Sequence, residues 1–170
     1  MASLRAPISN WCKVNTDGAV IKNPSKAACG GIFRNSLGFT LCCFTQNLLT
    51  DYAFIAELTV ALTAIELAYQ NNWLNLWLET DSKLTMMAFK NAASVPWELR
   101  NRWINCQEMI KHMNFFVTHI YREGNTCADS LANLGRNVSS FVWWQDAPNI
   151  GRRDVISNIL GMPNFKFVTI

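Results

Sequence analysis

The sequence predicts one α/β domain, a mixed β-sheet with helices packed on its faces. Three observations lead to this fold class. Three β-rich segments come first, strands and helices alternate after them, and 50% of the 170 residues are hydrophobic. Consecutive strands with short connections are expected to pair antiparallel, and the later strand–helix alternation makes the sheet a mixed one. The order of segments gives five strands.

The first three strands are predicted over residues 11–21, 28–34 and 38–46. The first ends at the turn-prone run KNPSK, and the segment Asn-Ser-Leu-Gly joins the second to the third. The third has a dense apolar run with Thr and Phe, which is typical of a buried strand.

Residues 52–70 form the clearest predicted helix, because the segment is rich in Ala, Leu and Glu, lacks Gly and Pro, and ends in two asparagines. The remaining elements follow in order. They are a strand over 74–80, a helix over 82–93 that stops before Pro96, a helix over 96–113, a strand over 115–121 and a helix over 126–137.

These elements divide the chain into three predicted parts. Residues 1–10 form an N-terminal extension, residues 11–138 the domain, and residues 139–170, with aromatics, two prolines and no sustained period, an irregular tail packed on the domain.

Composition excludes several classes of protein. The apolar content excludes disorder. The most apolar window, residues 54–69, carries Glu57 and Glu66, so no membrane span and no membrane partner are predicted. The N-terminus lacks the apolar core of a secretory signal, and the six cysteines show neither a CxxC pair nor zinc-finger spacing. We expect an intracellular protein, nuclear or cytoplasmic, with reduced thiols. A net charge of +3 does not by itself indicate a nucleic-acid partner.

Four of the 12 acidic residues lie where burial is expected: Asp17 in the first strand, Glu57 in the first helix, Asp81 just after a strand, and Asp129 in the opening turn of the last helix. Each also has an ordinary structural interpretation. Asp17-Gly18 is a common turn pair, Glu57 could be a partly exposed helix residue, Asp81 or Ser82 can cap a helix, and Asp129 fits a capping box.

Considered together, the four acids favour a metal site. Glu57 shares its helix face with Ala61, Ala64 and Ala68, a small apolar face suited to packing on a sheet. Buried carboxylates repel one another and persist when a hard divalent cation lies among them. Ligand sets made only of oxygen suit Mg²⁺ or Mn²⁺.

Five segments in order resemble one known family, ribonuclease H, and most closely the plant ribonuclease H-like domain of, or derived from, non-LTR retroelement reverse transcriptases. The segments are KVNTDGA (13–19), CGGIFR (29–34), AEL (56–58), LETDS (78–82) and REGNTCADSLA (122–132). LGMPNF (160–165) resembles the tail of the plant group.

The resemblance implies a five-stranded mixed sheet, the first three strands antiparallel, and an endoribonuclease that cleaves the RNA strand of RNA–DNA hybrids. It implies that Asp17, Glu57, Asp81 and Asp129 are both catalytic residues and ligands of two Mg²⁺ ions, with Mn²⁺ as an alternative. Asp17 would bridge the two ions, Glu57 and Asp81 would complete one shell, and Asp129 would hold the other ion.

The resemblance also implies nucleic-acid contacts. By motif position these fall on Gly18, Cys29, Gly30, Gly31, Ser82 and Asn125. Two alternatives stay open at this point: Gly30 and Gly31 could form a β-bulge, and Asn125 could cap the last helix.

One departure concerns the assisting histidine of bacterial-type members, which lies on a flexible loop before the last acid. Here the segment from Tyr121 to Asn125 is too short for that loop, and neither His112 nor His119 is assigned a role. A basic protrusion is not evident either, because residues 96–113 offer only Arg100, Arg102 and Lys111.

Two functions remain in competition: an active hybrid endoribonuclease, and a catalytically weak or inactive retroelement-derived module that binds nucleic acid. The retention of all four acids favours the enzyme. An integrase or another nuclease of the superfamily is disfavoured by the glycine pair and the 122–129 motif. We expect a monomer, either free-standing or part of a reverse transcriptase polyprotein.

Overall fold

A computed structural model describes residues 6–145. Within them the chain forms six strands and four α-helices. The strands are β1 (Cys12–Lys22), β2 (Ser25–Arg34), β3 (Thr40–Leu48), β4 (Asn75–Thr80), β5 (Asn114–His119) and β6 (Phe141–Gln145). The helices are α1 (Ala53–Gln70), α2 (Lys83–Lys90), α3 (Arg100–Ile110) and α4 (Thr126–Gly135).

The six strands form one mixed sheet in the order β5-β4-β1-β2-β3-β6. β1, β2 and β3 pair antiparallel, as predicted. β4 pairs parallel with β1, and β5 pairs parallel with β4, since helices return the chain to the same end of the sheet before each strand. The predicted mixed α/β fold is confirmed.

The sequence prediction was wrong about the start of the tail. Residues 141–145 form an edge strand that pairs antiparallel with β3, so the sheet has six strands where five were predicted. The run of aromatic and β-branched side chains there suits a half-buried strand, and it lacked the flanking pattern of a longer element. The predicted tail beyond residue 145, including LGMPNF, lies outside the described residues.

Helices cover both faces of the sheet. A Cβ atom built on Gly18 would meet Ala56 and Glu57 of α1, whereas one built on Gly30 would meet Leu131 and Ala132 of α4. Because neighbouring residues of a strand point to opposite faces and Asp17 pairs with Gly30, α1 and α4 lie on opposite sides of the sheet.

Helix α1 is the central core helix. Ala61, Ala64 and Ala68 are fully buried, which confirms the predicted small face. By length and composition α1 is also the one helix among residues 6–145 that could cross a membrane, but 61% of it is buried in the domain, as expected of a core helix.

The segment between α2 and β5 differs from the single long helix predicted over 96–113. A 3₁₀ turn, Trp97–Leu99, precedes α3. Trp103 of α3 is buried against Phe89, whereas Trp97 is 80% exposed. Trp143 and Trp144 are also buried in the core.

Candidate metal centre

Adjacent strands bring two of the four acids together. Asp17 lies in β1, and Asp81 follows the last residue of β4. The parallel pairing of β1 with β4 sets Thr16 opposite Thr80, and the residue that follows each of these threonines is an aspartate. The sheet register therefore places Asp17 beside Asp81.

The third acid reaches the pair because Gly18 has no side chain. A Cβ atom at Gly18 would lie 2.7 Å from the backbone nitrogen of Glu57 and 2.8 Å from the carbonyl carbon of Ala56. Such distances are shorter than any van der Waals contact permits, so only glycine lets the start of α1 approach β1 this closely. Glu57 is thereby brought over the strand that carries Asp17.

Asp17, Glu57 and Asp81 form a cluster, in which one carboxylate oxygen from each lies within 4.8 Å of the others. Asp17 is 1% exposed. Both of its carboxylate oxygens, Oε2 of Glu57 and Oδ1 of Asp81 are buried, and no hydrogen-bond donor of the described chain reaches them. Asp129 of α4 lies at the rim, outside the cluster but near enough for its charge to act on Asp17.

Burial raises the pKa of each clustered carboxyl group, and repulsion from the other acids adds to the shift at Asp17 and Glu57. The pKa of Asp17 rises to about 7, chiefly through loss of hydration and then through the negative charge of Asp81. The pKa of Glu57 rises to about 10, again through burial first and then through Asp17 and Asp81. Burial also raises the pKa of Asp81, although Arg122, Asn125 and His119 partly offset the shift.

The donor set fits a hard divalent cation. Unpaired buried carboxylate oxygens cost free energy. A divalent cation among them offsets their mutual repulsion and gives each oxygen a partner. The cluster contains only oxygen donors, which matches Mg²⁺ or Mn²⁺ and not zinc. Asp17, Glu57 and Asp81 would hold the ion, with Asp129 available at the rim.

Without a divalent cation we expect the free energy of unfolding to fall as pH rises. The folded pKa values of Asp17 and Glu57 exceed the ordinary values of 3.8 and 4.5, so the folded chain binds more protons than the unfolded chain above about pH 4. Each extra bound proton lowers stability by about 1.4 kcal/mol per pH unit. The loss continues to about pH 7 for Asp17 and about pH 10 for Glu57.

Urea denaturation in EDTA between pH 5 and pH 9 measures this slope. Asp17→Asn is the control, since the variant lacks one of the two titrating groups and should show a shallower fall. Saturating Mg²⁺ should flatten the slope of the wild-type protein. Equal slopes for wild type and variant in EDTA would contradict the assigned pKa of Asp17.

Two residues predicted to contact nucleic acid have capping positions, but only one uses its side chain as a cap. The Ser82 hydroxyl accepts a hydrogen bond from the Thr85 backbone at the start of α2. Asn125 precedes α4, yet its side chain does not cap the helix. Its amide nitrogen instead donates to the carbonyl oxygen of Thr16, at 2.9 Å. The capping interpretation of Asn125 was therefore wrong, and Asp129 forms no capping box.

The glycine pair of β2 has a packing role. The strand shows no bulge at Gly30 or Gly31; its one irregularity lies at Phe33/Arg34, so the bulge interpretation was wrong. A Cβ atom on Gly30 would lie 2.6 Å from the backbone of α4, and one on Gly31 would lie 2.6 Å from the ring of Phe44. The Cys29 side chain is fully buried beside them.

Gly30→Ala should lower the free energy of unfolding by about 1–3 kcal/mol, because the added methyl group must push α4 away from the sheet. Chemical denaturation measures the loss. Gly38→Ala is the matched control: its Cβ meets nothing within 4 Å, but its φ of +80° penalises any side chain, at about 1 kcal/mol. A smaller loss at Gly30 than at Gly38 would contradict the packing role.

Two residues beside Asp81 were assigned no role from the sequence. The Arg122 side chain, 78% exposed, brings its Nε within 3.9 Å of Asp81 Oδ2. The His119 ring nitrogen lies 3.1 Å from the Asp81 carbonyl oxygen. Arg102, one of the few cations of the 96–113 segment, does not join them but pairs with Glu66 of α1, at 2.6 Å. Only spatial proximity identifies these roles, since none of the residues adjoins its partner in sequence.

Comparison with known proteins agrees with this arrangement. Residues 15–135 match the family model described as "Reverse transcriptase-like". In sequence, the chain is 32% identical over 135 residues to "Putative ribonuclease H protein At1g65750" of Arabidopsis thaliana. That match covers 79% of this chain but 22% of the relative, so the chain spans about a fifth of the relative's length.

Solved structures share the fold. Ribonuclease H1 of the halophilic archaeon Halobacterium salinarum superposes with a TM-score of 0.66 at 24% identity, covering 74% of this chain and 97% of the archaeal one. LC11 ribonuclease H1, isolated from compost and solved with an RNA/DNA hybrid, gives 0.64 at 22% identity over 74% and 96%. The foamy viral protease–reverse transcriptase, also bound to a hybrid, gives 0.65 at 18% identity over 76% and 20%.

The matched residues run from Asn15 to Gly135 and include all four acids and both helices that enclose them. β6 lies beyond them. On the family match, the fold and the placement of the acids, this chain belongs to the reverse transcriptase-like family and has the ribonuclease H fold.

Proposed function

We propose that the chain is a divalent-metal-dependent endoribonuclease that cleaves the RNA strand of RNA–DNA hybrids. One observation carries the proposal: the cluster of Asp17, Glu57 and Asp81 holds buried carboxylate oxygens that no donor of the described chain satisfies. Acids kept in such a costly arrangement are expected at a metal-dependent phosphodiester site. The hybrids bound by two proteins of the same fold support the choice of substrate.

The proposed cofactor is a pair of Mg²⁺ ions, or Mn²⁺ in their place. When bound, such a pair supplies an activated water and stabilises the charge on the leaving oxygen. Asp17 would serve both ions, since it is the acid whose pKa is influenced by Glu57, Asp81 and Asp129 alike. The low-dielectric surroundings of Asp17 strengthen each electrostatic contact made there.

Substrate contact is proposed mainly at Gly18 and Ser82. Each follows an acid of the cluster directly in sequence and is only partly buried. The other four predicted contact residues are buried: Cys29, Gly30, Gly31 and Asn125. Contacts with nucleic acid from these residues would have to come from groups that already pack inside the domain. The Arg122 guanidinium at the rim is available to a phosphate, because its side chain is 78% exposed.

The parent protein is a second part of the proposal. We propose that the chain acts as a monomeric domain, alone or attached to a reverse transcriptase; the foamy viral protease–reverse transcriptase, which shares the fold, supports the second arrangement.

The test is gel cleavage of a labelled RNA–DNA hybrid with Mg²⁺ or Mn²⁺, beside EDTA, single-stranded RNA and double-stranded RNA. Metal-dependent cutting confined to the RNA of the hybrid is the expected result. A folded chain that cuts with neither metal would contradict the proposal. Retained binding to the hybrid in that case would favour an inactive binding module.

A further inference from the structure

A buried polar network lies behind the acid cluster and connects β1 to β4. Lys13 Nζ lies 2.7 Å from Glu79 Oε2, and Asn15 Nδ2 donates to the same oxygen at 2.8 Å. Lys13, Asn15 and Glu79 are 3%, 2% and 7% exposed. Lys13, Asn15 and Asp17 are alternate residues of β1. Asp81 likewise follows Glu79 of β4 by two residues.

Asn125 extends this network to the start of α4. Asn15 Nδ2 also donates to Asn125 Oδ1 at 3.4 Å, and Asn125 Nδ2 donates to the carbonyl oxygen of Thr16 at 2.9 Å. The backbone carbonyl oxygen of Asn125 accepts from the Asp129 backbone nitrogen at 3.1 Å, in the first turn of α4. Asn125 therefore links the backbone of β1 next to Asp17 to the turn of α4 that carries Asp129.

The chemistry of the partners fixes the direction of every bond around Asn15. Arg34 Nη1 donates to Asn15 Oδ1 at 3.2 Å, and a guanidinium can only donate. The Asn15 amide nitrogen must then face Glu79, whose carboxylate can only accept. The same nitrogen meets Asn125 Oδ1, which leaves the Asn125 amide nitrogen for the Thr16 carbonyl oxygen. One orientation of Asn15 thus determines one orientation of Asn125.

We propose that Asn15 is a positioning residue of the metal centre. Asn15 fixes the carboxamide of Asn125 and, through it, the first turn of α4, which carries Asp129, relative to the part of β1 that carries Asp17. Being 2% exposed, Asn15 itself touches neither substrate nor ion. The inference rests on the proposed function, because it concerns the spacing of the proposed ligands. Hydrogen-bonded groups of this kind commonly change metal affinity or activity about 10–100-fold when removed.

The test compares Asn15→Leu with Thr45→Val. Thr45 is a matched control because its buried hydroxyl also holds α4, donating to the Leu131 carbonyl oxygen at 2.6 Å, but contacts none of the acids. Mn²⁺ affinity is measured by isothermal titration calorimetry on each folded variant. Hybrid cleavage then gives kcat and KM separately.

For Asn15→Leu we expect Mn²⁺ affinity and kcat to fall about 10–100-fold, with KM for the hybrid unchanged. Thr45→Val should lower the melting temperature but leave Mn²⁺ affinity at the wild-type value. Wild-type metal affinity in Asn15→Leu, or an equal loss in Thr45→Val, would overturn the positioning role.

If Asn15→Leu does not fold, Arg34→Met replaces it. This change removes the donor that orients Asn15 without emptying the core, and it should weaken Mn²⁺ binding by a smaller factor. Unchanged affinity in Arg34→Met would then overturn the inference. A wild-type chain that binds Mn²⁺ but cleaves no hybrid would contradict the proposed function alone, because the affinity comparison still decides the role of Asn15.

Discussion

Replacing Asp17 with asparagine should lower hybrid cleavage by roughly a thousandfold or more, because Asp17 is the acid proposed to hold both metal ions and such ions stabilise several kcal/mol of transition-state charge. The same change should raise the melting temperature of the metal-free protein. Burial and the charge of Asp81 raise the pKa of Asp17 to about 7, so the negative charge of Asp17 is disfavoured in the folded protein. The neutral amide of asparagine removes that repulsion. Activity and stability are therefore expected to change in opposite directions.

Cleavage assays and thermal melts in EDTA test both parts. Glu108→Gln is the control, because it removes one carboxylate whose side chain is 63% exposed, and it should alter neither quantity. An Asp17→Asn variant that cuts at the wild-type rate would exclude Asp17 as a metal ligand. A variant that loses activity and stability together would show that Asp17 is needed for folding instead.

Lys13→Met should lower the free energy of unfolding by about 3–5 kcal/mol, because the substitution removes a cation from a buried ion pair. Lys13 Nζ lies 2.7 Å from Glu79 Oε2 and 4.1 Å from the centroid of the Trp77 ring. Without the ammonium, the Glu79 carboxylate keeps the Asn15 amide but loses its opposite charge.

The control is the same substitution at Lys111, which pairs with Glu108 on the surface. Those side chains are 66% and 63% exposed, and exposed pairs contribute about 0–1 kcal/mol. Denaturant titration of both variants gives the comparison. The double variant Lys13→Met with Glu79→Leu should recover most of the loss, because no buried charge is then left unpaired. Equal losses at Lys13 and Lys111 would contradict the buried-pair account.

The element order could be predicted from the sequence because each element carries a local signal. β1 to β3 were placed by β-rich runs and turn residues, and α1 by its lack of Gly and Pro. β6 was missed because five residues carry too little pattern, and its pairing with β3 joins residues about a hundred positions apart in the chain. The single helix predicted over 96–113 was shortened by the 3₁₀ turn at Trp97.

The four acids were also predictable, partly from their positions at strand ends and helix starts and partly from motif resemblance. Their grouping followed only from the resemblance, because no local pattern of the sequence encodes it. Three of the carboxylates meet closely, whereas Asp129 remains at the rim, and that difference depends on how far α4 and α1 approach the sheet. Gly30 and Gly18 permit this approach because they have no side chain to clash with α4 and α1, and that effect exists only when the helices are packed on the sheet.

The sequence by itself determined the order of the helices and strands and the acidic residues available to bind a metal ion, since local patterns indicate both. Only the tertiary structure decided which of those residues work together. In the sequence nothing distinguishes Lys13, Asn15 and Arg34 from ordinary strand residues. Their network forms only in the folded chain, where β4 supplies Glu79 and the start of α4 supplies Asn125. Contacts across 64 and 110 residues depend on sheet register and helix packing, and no local pattern encodes either.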